Sequence, residues 1–309
     1  IGVTAGSIKL NETGTLASSV SMSGGTLDVD ESLTLGTLSH TKDFTIDVAN
    51  GKTLTYSSGS PTNVGAKTIT LTGGGSLVSG GMNLDKATSK LVLNSITLNK
   101  ASTSSDSLGI DVDANSTVTN LSIGHTTPVS IASGVTLSGA IGVTAGSLKL
   151  NEAGTLASTV SMSGGTLDAD ETATVSGALS HSADIAIDVA SGKTLTYSGT
   201  AIGVGANTIT LTGGGSFTSG GMTLNNADSK LLLNSITLDS LATSADSLGL
   251  DVDANSTVTA LSVGHITPVS IASGVTLSGG IGITAGSIKL NEGGTLASTV
   301  SMSGGTLDA

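Results

Sequence analysis

The carboxylates of this chain come in short runs. Asp28-Val29-Asp30-Glu31, Asp111-Val112-Asp113 and Asp251-Val252-Asp253 each set acidic residues two apart around one apolar residue. In an extended chain alternate residues share a face, so these carboxylates point away from the side that buries the valine. Asp47 occupies the position in the next short repeat that Asp28 holds in its own. Stacked there, the two are like charges opposed at a cost of about 0.2–1 kcal/mol. Ca²⁺ takes hard oxygen ligands of this kind, which makes Asp28, Asp30, Asp47, Asp111, Asp113, Asp251 and Asp253 the candidate calcium ligands, and Ca²⁺ the one cofactor candidate. Lys9, at the same position one repeat earlier, offers a simpler counter-charge, and the Gly-Gly-x-Gly-x-Asp nonapeptide of calcium-binding solenoids is absent. A solvated acidic face is the plainer expectation.

Other chemistry finds less footing. Gly59 to Thr68, GSPTNVGAKT, approaches a phosphate loop, but Ala66 interrupts its Gly-Lys step and Asn207 replaces the lysine in the second copy. The four histidines, His40, His125, His181 and His265, form no HExxH pattern or close pair, which gives zinc little support. Ser and Asp are too frequent for spacing to single out a Ser-His-Asp triad. Sugar clefts favour aromatic platforms and paired carboxylates, and Phe44, Tyr56, Tyr197 and Phe217 are the only aromatics. No catalytic residue is expected.

What must position these groups is a repeat. Ile1 to Leu10 reads IGVTAGSIKL, Ile141 to Leu150 reads IGVTAGSLKL, and Ile281 to Leu290 reads IGITAGSIKL, so the same decapeptide returns at one constant interval. Residues 1–140 and 141–280 are full repeat units, and 281–309 starts a third. Inside each unit, apolar pairs two positions apart recur: Ile8/Leu10, Leu27/Val29, Ile46/Val48, Ile69/Leu71, Leu91/Leu93, Ile110/Val112 and Val129/Ile131. The interval between successive pairs is the same throughout, on to Leu148/Leu150, except that it lengthens before Ile69/Leu71 and again before Leu91/Leu93. Six positions after most pairs another apolar residue follows: Leu16, Leu35, Leu54, Leu77, Val118 and Leu137. The fifth repeat breaks phase with Leu98 one position early.

Period-2 pairs predict strands, Gly, Asn and Ser between them predict turns, and a nearly constant return length predicts coils that stack. The fold class is therefore all-β: a parallel β-helix (β-solenoid) with rungs of about 19–23 residues, seven per unit, in one continuous solenoid. Rungs about 4.8 Å apart advance the axis about 34 Å per unit. The second unit gains one residue before His181 and loses one between Ser198 and Ile202, a change that turns absorb and strands do not. Outward hydroxyls are expected to align as Thr15, Thr34, Thr53 and Ser76. The neighbouring row, Ala17, Gly36, Thr55 and Val78, breaks the second column that an ice-binding face needs.

Composition narrows the function classes. Hydrophobic residues are 37% of the chain but aromatics only 1%, so the core is built from small aliphatic side chains repeated in register. Charged residues are 11%, against an ordinary share of about 25%. The net charge is −12 and every basic residue is a lysine; no basic stripe is present to neutralise phosphates, which argues against nucleic acid. With no Cys, disulfides and thiolate sites are excluded. No apolar run approaches the ~18 residues of a membrane span. The chain opens on Ile1-Gly2-Val3 without a signal peptide and reads as a slice of something longer.

The motifs GTLASSVSMSGGTLDVD and SIASGVTLSGAIGVTAGSLKLNEAGTLAS resemble the Gly/Ser/Thr-rich repeats in passenger regions of bacterial autotransporters and in filamentous-haemagglutinin-like giant adhesins. The resemblance covers the whole chain and is one of composition and period. It implies a secreted β-helix displayed at the cell surface and acting in adhesion, aggregation or fibre formation, although no translocator barrel, secretion domain or adhesive tip is present. The expected function is that of a non-enzymatic, extracellular shaft. Its expected partners are itself, through a longer tandem chain, end-to-end stacking or lateral bundling, and cell surfaces or matrix. The alternative is a binding module that recognises a partner through the turns Ser58 to Asn63 and Lys100 to Asp106, or Ca²⁺ through the acidic face. Ice-binding and polysaccharide-acting β-helices stand further off.

Overall fold

A computed structural model describes residues 1–56, 59–290 and 293–308. Among these residues there is no helix, and the paired named strands run parallel. The fold is a parallel β-solenoid. Packing divides the chain into two compact bodies, Ile1–Ser161 and Met162–Ala309. The sequence repeat begins at Ile141, inside the strand Thr136–Val143, so the repeat boundary is not a structural one.

In the first body one face is a ladder of eight strands: Ser7–Leu10, Thr26–Val29, Phe44–Val48, Thr68–Thr72, Lys90–Asn94, Gly109–Ala114, Thr127–Ile131 and Ser147–Leu150. Each carries an apolar pair at alternate positions, and Leu27, Val29, Ile46, Val48, Ile69, Leu71, Leu91, Leu93, Ile110 and Val112 are all fully buried. The second body repeats the ladder from Thr166–Ala169 to Thr306–Asp308.

The anchor pairs do stack, but their register differs from constant spacing at two places in each repeat. Leu10 faces Val29 and Val29 faces Val48, as even spacing requires. Leu71, however, faces Ile46 rather than Val48, and Leu150 faces Val129 rather than Ile131. The second body makes the same choices, Leu211 facing Ile187 and Leu290 facing Val269. The stretch of chain between paired positions is therefore longer from Ile46 to Leu71 than from Leu10 to Val29. A two-residue offset keeps every side chain on its own face, whereas a one-residue offset would turn the core outward. Turn length is thus free to move register in twos.

The return half of a rung holds two apolar stretches, within one strand as in Gly14–Met22 and Thr97–Thr103 or in two strands as in Ser76–Val78 and Met82–Leu84. In the first, Leu16 faces Leu35, Leu33 faces Leu54, Leu54 faces Leu77, Leu77 faces Leu98 and Leu98 faces Val118. Leu98, one position early in sequence, is in register in space because the turn before it is shorter. A second stretch adds an apolar column that the repeat arithmetic had not picked out: Met82, Ala101, Leu121 and Ile141 stack in order, beside Leu84, Thr103, Ile123 and Val143. Two sheets therefore enclose the core, and the second carries both of these apolar stretches.

Glycines permit the corners where the backbones of neighbouring rungs nearly touch. At Gly139 (φ 123°) a Cβ would overlap the Val118 carbonyl oxygen, and Gly279 (φ 127°) meets Val258 in the same way. The few large side chains show how little spare room the interior holds. Tyr56 and Tyr197 are both buried. The Tyr197 hydroxyl accepts a hydrogen bond from the Leu179 backbone N–H at 3.2 Å. The Tyr56 hydroxyl has no partner among the described residues, and burial pushes its pKa up. Leaving a buried hydroxyl unpaired costs about 1–3 kcal/mol. Tyr56→Phe is therefore expected to leave thermal stability equal or higher, and Tyr197→Phe to lower it by about 1 kcal/mol, each read from an unfolding midpoint.

Candidate functional site

The outward faces of the two ladders carry the charged residues singled out above, Asp28, Asp30, Asp47, Asp111 and Asp113 in the first body and Asp251 and Asp253 in the second. Asp28 and Asp47 are direct neighbours on adjacent rungs. Lys9 answers the first of them: its Nζ lies 3.4 Å from Asp28 and 2.7 Å from Asp30. Hydrogen bonds to Asp30 and then Asp28 raise the lysine above its ordinary pKa. Asp47 stands further from that cation. Burial, and then the charges of Asp28 and Asp30, raise its pKa despite Lys9. Asp111 and Asp251 are taken up by Lys90 and Lys230, each pair at 2.5 Å. Asp113 and Asp253 are exposed.

The seven candidate calcium ligands are thus divided between the two bodies, and Asp28, Asp30, Asp111 and Asp251 have lysine counter-ions. Among the described residues no group of three or more His, Asp or Glu side chains is gathered closely enough to hold a metal ion. The arrangement is a set of surface ion pairs, whose contribution solvent screens. Lys52–Glu31 at 2.7 Å and Lys193–Glu171 at 2.6 Å continue it at equivalent positions in the two repeats.

Asp47 gives this face a pH dependence. A carboxyl whose folded pKa is raised binds more protons folded than unfolded, so its contribution to stability falls as pH rises through the carboxylate range. Asp47→Asn is expected to raise the unfolding midpoint at neutral pH, by the equivalent of about 0.2–1 kcal/mol for one opposed like-charge pair. The gain should disappear in acid, where Asp47 is protonated anyway. Denaturation of both proteins from mildly alkaline to acid conditions checks this; a gain that persists unchanged in acid would contradict the assignment.

The remaining polar side chains at the corners act as clamps between rungs. Asp43, Asp106 and Asn115 accept the backbone N–H groups of Thr68, Thr126 and Thr136, each at 2.9 Å. Asp184, Asp246 and Asn255 do the same for Thr208, Ile266 and Thr276, at 2.7, 2.9 and 2.8 Å. Backbone groups that the ladder leaves free at a corner need partners, and Asx side chains supply them. Gly65, in the loop that resembles a phosphate cradle, donates its N–H to Asp85 at 2.7 Å, and its carbonyl accepts from Ser89. That backbone is already committed, and a strand rather than a helix follows it.

Two of the histidines are clamps too. His40 donates from Nε2 to the Val64 carbonyl at 2.9 Å, and His181 to the Gly203 carbonyl at 3.0 Å. His125 and His265 lie 3.9 and 3.8 Å from Asp106 and Asp246, carboxylates that already hold a backbone N–H.

Two turns had been singled out as binding loops. Ser58 lies outside the described residues; beyond it, Thr62–Asn63 is a short strand and Val64 is fully buried. Lys100 to Thr103 is not a turn, because the strand Thr97–Thr103 runs through it and buries Ala101 and Thr103. Within that turn, Ser104 to Asp106 is the part outside the strand. The hydroxyl row also differs from its expected alignment. Thr34 faces Thr55, not Thr53, and the continuous row is Thr53, Ser76, Thr97, Thr117 and Ser138, repeated as Thr194, Ser216, Thr237, Thr257 and Ser278. The row two positions along is mixed: Thr55 faces Val78, and Asn99 stands two positions after Thr97.

Beside these rows lies a shallow groove of about 380 Å³, lined by Thr97, Asn115, Thr117, Thr136 and Ser138. Its counterpart of about 420 Å³ is lined by Thr237, Asn255, Thr257, Thr276 and Ser278. Ser95 (φ 59°) and Ser235 (φ 60°) edge the two grooves in left-handed conformations, where the ladder shifts register after Leu93 and Leu233. The strands flanking both grooves are held by Ser116 and Ser256, whose hydroxyls accept from Ile96 and Ile236 and donate to Ala114 and Ala254. Compared with known proteins, the chain matches no protein-family model, no curated protein and no solved structure. What the residues present is a set of rung-to-rung fastenings, copied from one repeat to the next.

Proposed function

We propose that this chain is a structural shaft: a β-solenoid segment of an extracellular bacterial fibre or adhesin stalk that gives a cell-surface projection its length and stiffness. The observation that carries the reading is the duplication of the fastenings. Lys–Asp and Lys–Glu pairs, corner Asx clamps and histidine–carbonyl bonds recur at matching positions of residues 1–140 and 141–280. A recognition surface needs one particular constellation of groups. A shaft needs the same one many times, with each rung held to the next by apolar stacking and a few polar ties. The compositional likeness to autotransporter passengers and giant adhesins agrees with this, as does a surface of low charge density that lets shafts lie close together. Partners under this reading are further copies of the repeat, in tandem or side by side, and the surface to which the fibre attaches.

The test is length. Removing or adding one full repeat in the native protein should change the projection's contour length by about 34 Å, seven rungs at the inter-strand spacing, and leave attachment intact when measured per fibre. Loss of attachment at unchanged length would overturn the proposal in favour of a binding module.

A further inference from the structure

We draw no further inference here: the strongest candidate, the hydroxyl-lined groove beside Thr97, Thr117 and Ser138 with its counterpart beside Thr237, Thr257 and Ser278, is a stripe of small polar side chains whose buried neighbour Ser116 is already bonded to Ile96 and Ala114, and nothing in the structure points to what would occupy it.

Discussion

Leu71→Ala is expected to cost about 2–5 kcal/mol, whereas Thr70→Ala next to it should stay within about 0.5 kcal/mol of the parent. Leu71 is fully buried and lies between Ile46 on one rung and Leu93 on the next. Truncation opens a cavity that the stacked backbones cannot close by moving, because their spacing is fixed by the hydrogen-bonded ladder. Thr70 sits on the outward face of the same strand. Since neighbouring rungs are the unit of stability in a stacked repeat, the loss should also be local. Amide exchange should quicken in Phe44–Val48 and Lys90–Asn94 before it does in distant rungs. Equal costs for the two substitutions would mean that the alternation of faces is wrong.

The second large effect concerns the corners. Gly139→Ala is expected to destabilise by about 3 kcal/mol or more, since it combines left-handed backbone strain with a collision that the next rung cannot avoid. Gly134→Ala makes the control: its φ is also positive, at 77°, but the space around it is open, so only the left-handed backbone penalty of about 1–2 kcal/mol applies. Gly279→Ala should repeat the larger loss, because its Cβ would meet the Val258 carbonyl as that of Gly139 meets Val118. Thermal unfolding of the three variants decides the matter. Similar losses at Gly134 and Gly139 would show that close approach of the rungs is not what these glycines permit.

Much of the architecture could be read from spacing alone, because a solenoid uses the same few positions at each turn. The pairs Leu27/Val29 and Leu91/Leu93 are apolar in a strict period of two, and their nearly constant return length favours stacked coils over a sandwich. Register was less legible. Leu71 settles on Ile46 because parity, not the residue count, is what burial enforces, and a two-residue change satisfies it as well as none. The second apolar stretch of the return is marked by no single residue type: Met82, Ala101, Leu121 and Ile141 form one column, and Thr103 interrupts the apolar column beside it.

The polar sites followed the same logic. Lys9 beside Asp28 was legible because both sit at one position of consecutive repeats. The pairing of Lys90 with Asp111 was not, since it crosses between neighbouring columns. Corner clamps such as Asp43 to Thr68 and Asn115 to Thr136 depend on which backbone N–H groups the turns leave free, and that is known only once the turns are built. The turn expected at Lys100 to Asp106 proved to be largely strand because polar residues such as Lys100 and Ser102 alternate with the buried Ala101 and Thr103.

With no cysteine in the chain, the stacking of rung on rung is open to a direct measurement. Thr97 and Thr117 face each other on adjacent rungs, and neighbouring parallel strands bring Cα atoms to about 4.8 Å, within the range that a disulfide spans. A protein carrying Thr97→Cys and Thr117→Cys should form an intramolecular disulfide under mild oxidation. A protein carrying Thr97→Cys and Thr119→Cys, two positions out of register, should stay reduced. Cross-linking in the first alone is what rung-on-rung stacking predicts; no cross-link in it, or equal cross-linking in both, would contradict the fold on which every functional conclusion here depends.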